Sequence, residues 1–310
     1  MRHAVLSGLF LIVFLFLLFY VLAPSVFRKC FPHLGRAENM RMLGFLLILT
    51  PLTLFPYLSS KTFITGDDLY FHLTEIKGIA AALRAGYFPV RILPDALNGY
   101  GYGSGFYYPN FFLTIPALLI LLGFYVMDAY KIFIALCSFF AFLTMFLTVR
   151  RISQSEKASY AAVILYACSA YRLIDIYYRS ALGEIQAFIF LPLIILGLYE
   201  IFHSHPERWW IFALAFTGLL ECHMISLAIA GIFTGIWTLL HVRQIFSDKK
   251  ILLALLKSVV LTVLLGASFL FPMFEQTATN DLRIKLIMLD PVNNSLGQYT
   301  PWQSLLRFFL

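Results

Sequence analysis

Two adjacent aspartates stand in the segment "GDDLYFHLTEI", within a chain that is otherwise mostly apolar. His72 lies four residues after Asp68 and therefore on the same face if the segment is helical. Two carboxylates beside an imidazole suit general-base catalysis, or binding of a divalent cation such as Mg²⁺ or Mn²⁺ as a cofactor. Asp67, Asp68 and His72 are therefore the candidate catalytic residues, and the two aspartates are also the candidate metal ligands.

A structural role for one aspartate is the alternative. Residues 69–84 carry apolar side chains at helical spacing, which predicts one amphipathic helix that stops near Gly86. An aspartate directly before such a helix caps its N-terminus and interacts favourably with its dipole. Capping explains one carboxylate of the pair but not both.

A second group of charges occurs in "YYRSALGEIQAF", where Arg179 and Glu184 interrupt an apolar run. Charged side chains at membrane depth are costly and usually functional, and the planar guanidinium suits phosphate. The alternative is an ion pair that joins two helices. Glu184 follows Arg179 by five residues, a poor spacing for pairing on one helix unless the chain turns at Gly183. We therefore expect Arg179 to need another anion, for which the aspartates at 67–68 are the leading candidates.

The motif "ECH" places Glu221 and His223 inside the apolar stretch 209–240. A histidine in this setting is either a hydrogen-bonded core residue or a ligand. The motif also predicts that the stretch is divided into two helices. Arg172 and Asp175 lie one to two helical turns before Arg179. The candidate phosphate- or substrate-binding residues are Glu75, Arg172, Asp175, Arg179, Glu184, Glu221 and His223.

The composition is that of a polytopic membrane protein, because 61% of the residues are hydrophobic and only 13% are charged. The net charge of +7 is explained by basic cytoplasmic loops rather than by nucleic-acid binding. The four cysteines are scattered and form neither a disulfide framework nor a metal motif.

The sequence predicts an all-α fold with about eight transmembrane helices. The first apolar run is expected to be a signal anchor. The run 111–127 contains Pro116 and is expected to be a juxtamembrane or re-entrant helix of a large outer loop, 59–130. The apolar runs are 4–24, 42–58, 111–127, 131–149, 158–171, 185–202, 209–222, 224–240 and 251–272.

Basic residues orient these runs. The segments 27–41, 150–157, 203–208 and 241–250 are rich in Lys and Arg and are expected to be cytoplasmic. The first two can share a side only if an even number of runs crosses between them, so 111–127 should not cross. If it does cross, the two acidic segments face opposite sides of the membrane.

This topology places loop 59–110, loop 171–184 and the "ECH" break on the outer face. The chain then consists of a membrane domain, 1–272, and an outer-face segment, 273–310, at which a further C-terminal region would start. Loop 86–110 contains many aromatic residues and four glycines between positions 99 and 105. It reads either as an interfacial aromatic belt with flexible turns, or as a mobile lid whose tyrosines stack on a sugar or line a lipid groove.

The motifs "GDDLYFHLTEI", "GYGYGSGFYYPN", "YYRSALGEIQAFIFLPLIILGLY" and "CHMISLAIAGIFTGIW" resemble a family of prokaryotic multi-pass membrane proteins labelled "6-pyruvoyl-tetrahydropterin-synthase-related". The likeness covers residues 42–272. The family is similar in layout to C-type (GT-C) glycosyltransferases. The pterin label is not carried over, because the chain lacks the histidine triad of the soluble zinc enzymes. GT-C enzymes usually continue through several more spans, which this sequence does not contain.

The GT-C likeness implies a glycosyltransferase that moves a sugar from a polyprenyl-phosphate-linked donor to an acceptor on the outer face of the prokaryotic cytoplasmic membrane. It implies that Asp67 or Asp68 is the catalytic acidic residue of the first outer loop, and that the partners are the lipid-linked donor and membrane lipid. The alternative is a non-catalytic protein that binds or translocates lipid-linked glycan. Transporters often show internal pseudo-symmetry, and its absence here favours the enzyme.

Overall fold

The computed structural model describes residues 36–59 and 66–280. Within these ranges the regular structure is helical, and the one sheet-like contact is an antiparallel bridge between Leu93 and Tyr102. The prediction of an all-α fold is therefore confirmed for the described residues. The chain divides into two compact units, 1–266 and 267–310.

The first unit holds the long helices and the polar loops between them. It has 3₁₀ turns at Leu97–Gly99, Ser104–Phe106, Phe111–Leu113 and Pro206–Arg208, and a π-helical turn at Asp175–Arg179. Its α-helices in the described ranges are α1 (Arg36–Ser59), α2 (Leu69–Arg84), α3 (Thr114–Leu121), α4 (Val126–Ser153), α5 (Glu156–Ala167), α6 (Ala170–Ile174), α7 (Leu182–His203), α8 (Trp210–Leu220), α9 (Met224–Leu240), α10 (Val242–Ser247) and α11 (Lys249–Leu265). The described part of the second unit contains α12 (Ala267–Thr279).

Three helices in the described ranges are long and apolar enough to cross a membrane: Glu38–Ser59, Val126–Ser153 and Leu182–His203. The number rises to four if the consecutive helices α11 and α12 count as one span. A crossing needs about 20 apolar residues, and α5 and α8 are shorter than that with 12 and 11 residues. The apolar helices indicate a membrane protein. The predicted run 4–24 lies outside the described residues.

The segment 111–127 does not form one continuous helix. One 3₁₀ turn leads into α3, which has eight residues, and the chain then turns at Gly123, whose φ is 96°. A helix of eight residues is only about 12 Å long, against the roughly 30 Å of a hydrocarbon core. Its length agrees with the expectation that this segment does not cross. The "ECH" motif likewise separates α8 from α9, as predicted.

Helix α4 is the centre of the helical bundle. Most of its side chains are buried, among them Tyr130, Phe142 and Phe146. It packs most extensively against α7 and also contacts α1, α3 and α5. A second apolar cluster joins α7 to α8, α9 and α11. The bundle thus fixes the positions of the helix ends, from which the polar loops extend.

Ion pairs join the helices at one end of this bundle. They connect the start of α1 with α5 and α4, and the end of α4 with the end of α7. The pairs are Arg41–Glu156 at 2.9 Å, Arg150–Glu38 at 2.5 Å and Arg151–Glu200 at 2.5 Å. Three of the four basic segments therefore lie at the same end of the helices, as expected from their charge.

The acidic segments lie at the other end. The backbone N–H of Asp68 donates a hydrogen bond to the carbonyl oxygen of Arg179 at 2.9 Å, so the loop after α1 contacts the turn before α7. The alternative in which residues 111–127 cross, which separates these two loops, is therefore wrong. Which end faces the outside of the cell remains a prediction from the basic residues.

Cysteine labelling tests that orientation. Tyr100 and Tyr178 are 92% and 69% exposed at the acidic end, and Phe246 is 82% exposed at the basic end. We expect single cysteines at Tyr100 and Tyr178, in a background without the native cysteines, to react with an impermeant thiol reagent added to intact cells. A cysteine at Phe246 should react only after the membrane is opened. Labelling of the Phe246 position alone in intact cells would show that the orientation is the reverse of the predicted one.

Candidate functional site

The acidic turn is fixed to the π-helical turn by backbone contacts. The N–H of Asp67 donates to the carbonyl oxygen of Tyr178 at 3.3 Å, beside the Asp68–Arg179 bond. Gly66 lies directly against Ser180, where an added Cβ would be 2.1 Å from the Ser180 hydroxyl oxygen. Only glycine fits this approach. The two loops therefore hold each other in place without using their charged side chains.

Asp68 occupies the N-cap position of α2, but its side chain makes no capping hydrogen bond. The N–H of Leu69 instead bonds to the carbonyl oxygen of Gly66 at 3.3 Å. Helix α2 itself begins at Leu69 and ends at Arg84, before Gly86 with its positive φ of 85°, as predicted. The hydrogen-bonding part of the capping explanation is therefore wrong for Asp68, and its half-buried carboxylate keeps its acceptor capacity for another partner.

Arg179 bridges two carboxylates. Its Nη1 lies 2.8 Å from Oδ1 of Asp175, and its Nη2 lies 2.8 Å from Oε1 of Glu184. The expectation that Glu184 is poorly placed for Arg179 is wrong, because the chain leaves helical geometry at Ser180, whose φ is 55°. This left-handed residue redirects the chain and returns Glu184 to the guanidinium, which remains 36% exposed.

Glu184 is shared among several groups. Its second oxygen accepts a hydrogen bond from the Tyr171 hydroxyl. The negative charge of Asp68 is close enough to repel the Glu184 carboxylate. Asp68, Arg179 and Glu184 therefore belong to one charged cluster. The two acidic loops were predicted to lie close together, and they are in contact at this end of the bundle.

His72 does not point its ring at the aspartates. Its Nδ1 lies 3.3 Å from Oε2 of Glu75, and its Nε2 accepts a hydrogen bond from the backbone N–H of Leu182 at 3.4 Å. With Nε2 as acceptor, Nδ1 carries the proton and donates to Glu75. Both ring nitrogens are thus occupied in the protein interior, and the catalytic role expected for His72 gives way to a positioning role. The ring instead meets Glu75 on its own helix and the start of α7.

His223 caps the following helix. Its Nδ1 accepts the backbone N–H of Ser226 at 3.3 Å, and its ring lies edge-on to Tyr108 with centroids 6.4 Å apart. Burial, the charge of Arg179 and the proximity of His72 lower the pKa of His223. The lowered pKa favours the neutral imidazole, and the cap occupies its Nδ1.

Tyr108 completes the cluster and was not singled out by the sequence. Burial raises the pKa of its hydroxyl, and the negative charges of Glu75, Asp68 and Glu184 act in the same direction. The hydroxyl thus stays protonated and can donate a hydrogen bond. The motif "FYYPN" carries this residue, but nothing in the motif distinguishes it from its aromatic neighbours.

Glu221 lies in the turn between α8 and α9, outside the helices. Burial raises the pKa of Glu221 to about 7, although the nearby positive charge of Arg91 opposes the shift. Arg91 also donates to the carbonyl oxygen of Gly105 at 3.3 Å. The sequence did not single out Arg91, because its relation to Glu221 arises between distant loops.

Arg172 is placed apart from the cluster and is only 1% exposed. Its guanidinium donates to the Ser138 hydroxyl at 2.7 Å and to the Ala167 carbonyl oxygen at 3.0 Å, and it lies 4.6 Å from the centroid of the Phe142 ring. These contacts join α6 to α4. The predicted phosphate-binding role does not fit this burial, because a ligand cannot reach the guanidinium in this conformation.

An aromatic cavity of about 390 Å³ opens beside α2. It is lined by Phe71, Tyr102, Ser104, Tyr107 and Tyr108, together with Gly103. The surrounding loop is held by its own bonds, including those between Leu93 and Tyr102. Gly101 in this loop has a φ of 84°, a left-handed conformation that favours glycine.

The charged cluster contains more carboxylates than cations, which favours proton transfer and recognition of hydroxyl groups. In residues 36–59 and 66–280, no group of three or more His, Cys, Asp or Glu side chains is arranged to hold a metal ion. Two aspartates alone give a divalent cation too few protein ligands here, unless substrate phosphates complete its shell.

Comparison with known proteins adds one relative. A protein described as uncharacterized, from Lactococcus lactis subsp. cremoris (strain MG1363), is 23% identical over 254 residues, which covers 77% of this chain and 41% of that protein. The chain therefore spans about two-fifths of the length of this relative. No protein-family model and no solved structure matches the chain. The function must accordingly be argued from the site.

The close approach at Gly183 generates a stability prediction. An added Cβ there would lie 2.4 Å from the Tyr108 hydroxyl oxygen, 2.9 Å from the His223 ring and 3.0 Å from the Cys222 carbonyl oxygen. We expect Gly183→Ala to destabilise the protein by roughly 1–3 kcal/mol through overpacking. Thermal unfolding in detergent measures this. The control is Gly231→Ala in α9, where no atom lies within 4 Å and alanine should be neutral or stabilising.

Glu221 generates a pH prediction. Its carboxyl titrates at about 7 in the folded protein and near 4.5 when unfolded, so between these values the folded state holds a proton that the unfolded state has lost. The stabilisation from this group is present below pH 4.5 and is lost as the pH rises through 7. The loss amounts to about 3 kcal/mol at most.

We expect the unfolding temperature of Glu221→Gln to fall less than that of the wild type when the buffer is changed from acidic to mildly alkaline. Glu275→Gln, which changes an exposed carboxylate in α12, should leave that slope unchanged. Equal slopes in the wild type and in Glu221→Gln would contradict the assignment.

Proposed function

We propose that this chain is a GT-C-like glycosyltransferase, which moves a sugar from a polyprenyl-phosphate-linked donor to an acceptor hydroxyl on the outer face of a prokaryotic cytoplasmic membrane. In this proposal about eight helices cross the membrane, and α2 and α3 are the juxtamembrane helices of the outer loop. The proposal includes membership of the family labelled "6-pyruvoyl-tetrahydropterin-synthase-related", which the sequence motifs resemble.

One observation carries the proposal. The uncapped carboxylate of Asp68 belongs to a turn that is bonded to the backbone of Arg179, next to an aromatic cavity. The cavity volume of about 390 Å³ falls within the roughly 300–1,000 Å³ of small-molecule sites. An acidic group, a cation and stacking surfaces for a sugar therefore lie together at one end of the helices.

Asp68 is the proposed general base. It takes the proton from the acceptor hydroxyl as that oxygen attacks the anomeric carbon of the sugar, and the bond from this carbon to the phosphate oxygen breaks. Asp68 is preferred over Asp67 because it is half-buried and interacts with Glu184 and Tyr108, whereas Asp67 is exposed.

Arg179 is the proposed partner of the departing lipid phosphate. Its guanidinium is partly exposed but already contacts Asp175 and Glu184, so the phosphate must compete with a carboxylate. Glu184 is the more readily displaced of the two, because Asp175 is fully buried and Glu184 retains the Tyr171 hydroxyl as a partner.

The proposal predicts that Asp68→Asn abolishes turnover while the fold survives. We expect release of polyprenyl phosphate from a labelled donor to fall by at least about 10²-fold, the usual contribution of a general base. Asp67→Asn is the matched control, with the same chemical change one residue away. Both variants should stay monodisperse, because the two backbone N–H bonds that anchor this turn do not involve the side chains.

Full activity in both single variants and in the double variant would refute the catalytic role. Binding of the donor by the wild type without any release of polyprenyl phosphate would instead establish the alternative, a non-catalytic protein that binds or translocates lipid-linked glycan.

A further inference from the structure

A second polar cavity lies at the end of the helices opposite the acidic turn. It has a volume of about 330 Å³ and opens between the turn Pro206–Arg208 and the first turns of α11. Lys250, Lys257, Trp209 and Glu207 line it. None of these residues belongs to the candidate functional site. The turn Pro206–Arg208 precedes α8 and Glu221 follows it, so the full length of α8 separates them.

The two lysines lie on one stripe of α11. Lys250 and Lys257 are seven residues apart, which places them on the same helical face and about 10 Å apart along the axis. The ammonium of Lys257 lies 5.9 Å from the centroid of the Trp209 ring. The Ser258 hydroxyl oxygen lies 3.2 Å from the Trp209 carbonyl oxygen, so the main chain at Trp209 lies against α11.

The cavity carries an excess of positive charge. In the described part of the chain neither lysine forms an ion pair with a carboxylate. Glu207 lines the cavity, but its carboxylate lies 3.0 Å from Nδ1 of His205 and is largely exposed. Arg208 is paired with Glu200 at 3.4 Å. The lysines therefore remain available for an anion.

The apolar surroundings of Lys257 on α11 indicate which kind of anion the cavity would bind. The helix around it exposes apolar side chains, including Leu253, Leu256 and Val260. An ammonium on such a helix is unfavourable unless it extends to the interface or meets an anion, and tryptophan prefers the interface. A ligand for this cavity therefore joins an oxyanion to an apolar body.

We propose that the cavity binds an anionic phospholipid, with the headgroup phosphate between Lys250 and Lys257 and the acyl chains along the exposed apolar face of α11. Basic pockets between helices at a membrane interface bind such headgroups. Inorganic phosphate offers the same oxyanion but lacks the chains. The proposal is independent of the enzymatic function proposed above.

Lipid binding to the purified full chain in detergent tests it. Native mass spectrometry would compare dioleoyl phosphatidylglycerol with dioleoyl phosphatidylcholine. We expect the wild type to prefer phosphatidylglycerol, and the double variant Lys250→Gln/Lys257→Gln to bind it roughly tenfold more weakly. Lys249→Gln is the matched control, because this neighbouring lysine does not line the cavity. It should bind like the wild type.

Three outcomes would overturn the proposal. The wild type could show equal affinity for the two lipids, or Lys249→Gln could lose as much affinity as the double variant. Complete displacement of phosphatidylglycerol by millimolar inorganic phosphate would make the cavity a site for free phosphate rather than for lipid.

Discussion

The hydrogen bond from the Asp68 N–H to the carbonyl oxygen of Arg179 is the contact on which the candidate site depends. It joins a loop that follows α1 to a turn that precedes α7, more than 100 residues later in the chain. Because the bond uses backbone atoms only, the side chains on both sides stay available for chemistry. The glycine at position 66 permits this approach, since a Cβ there would overlap Ser180.

Charge pairing organises both ends of the helical bundle, but in different ways. At the basic end, Arg150 and Arg151 each meet one glutamate from another helix, and these pairs fix helix positions. At the acidic end, one arginine serves two carboxylates, and the unpaired oxygen of Glu75 is fully buried. An arrangement with surplus carboxylates costs stability in an apolar setting, which is the usual signature of a site kept for function.

Several parts of the site were accessible from the sequence. Helix α2 was predicted with its observed bounds, because its apolar period and Gly86 are local signals. The grouping of the acidic loops followed from the basic residues at the opposite helix ends, since that rule depends only on counting charges. The sequence could not assign His72, because whether its ring meets Asp68 or the interior depends on where the first residue of α7 meets α2.

The sequence by itself determined the class of the protein, the helical segments, the break at 221–223 and the set of charged residues that an apolar chain retains. Only the tertiary structure decided which of these charges meet. Residue spacing defines neighbours within one helix, whereas Arg179 meets Glu184 through a left-handed residue between two helices. Arg172, similar in sequence context, is instead enclosed by α4. The path of the backbone between helices separates the two arginines, and no periodicity encodes that path.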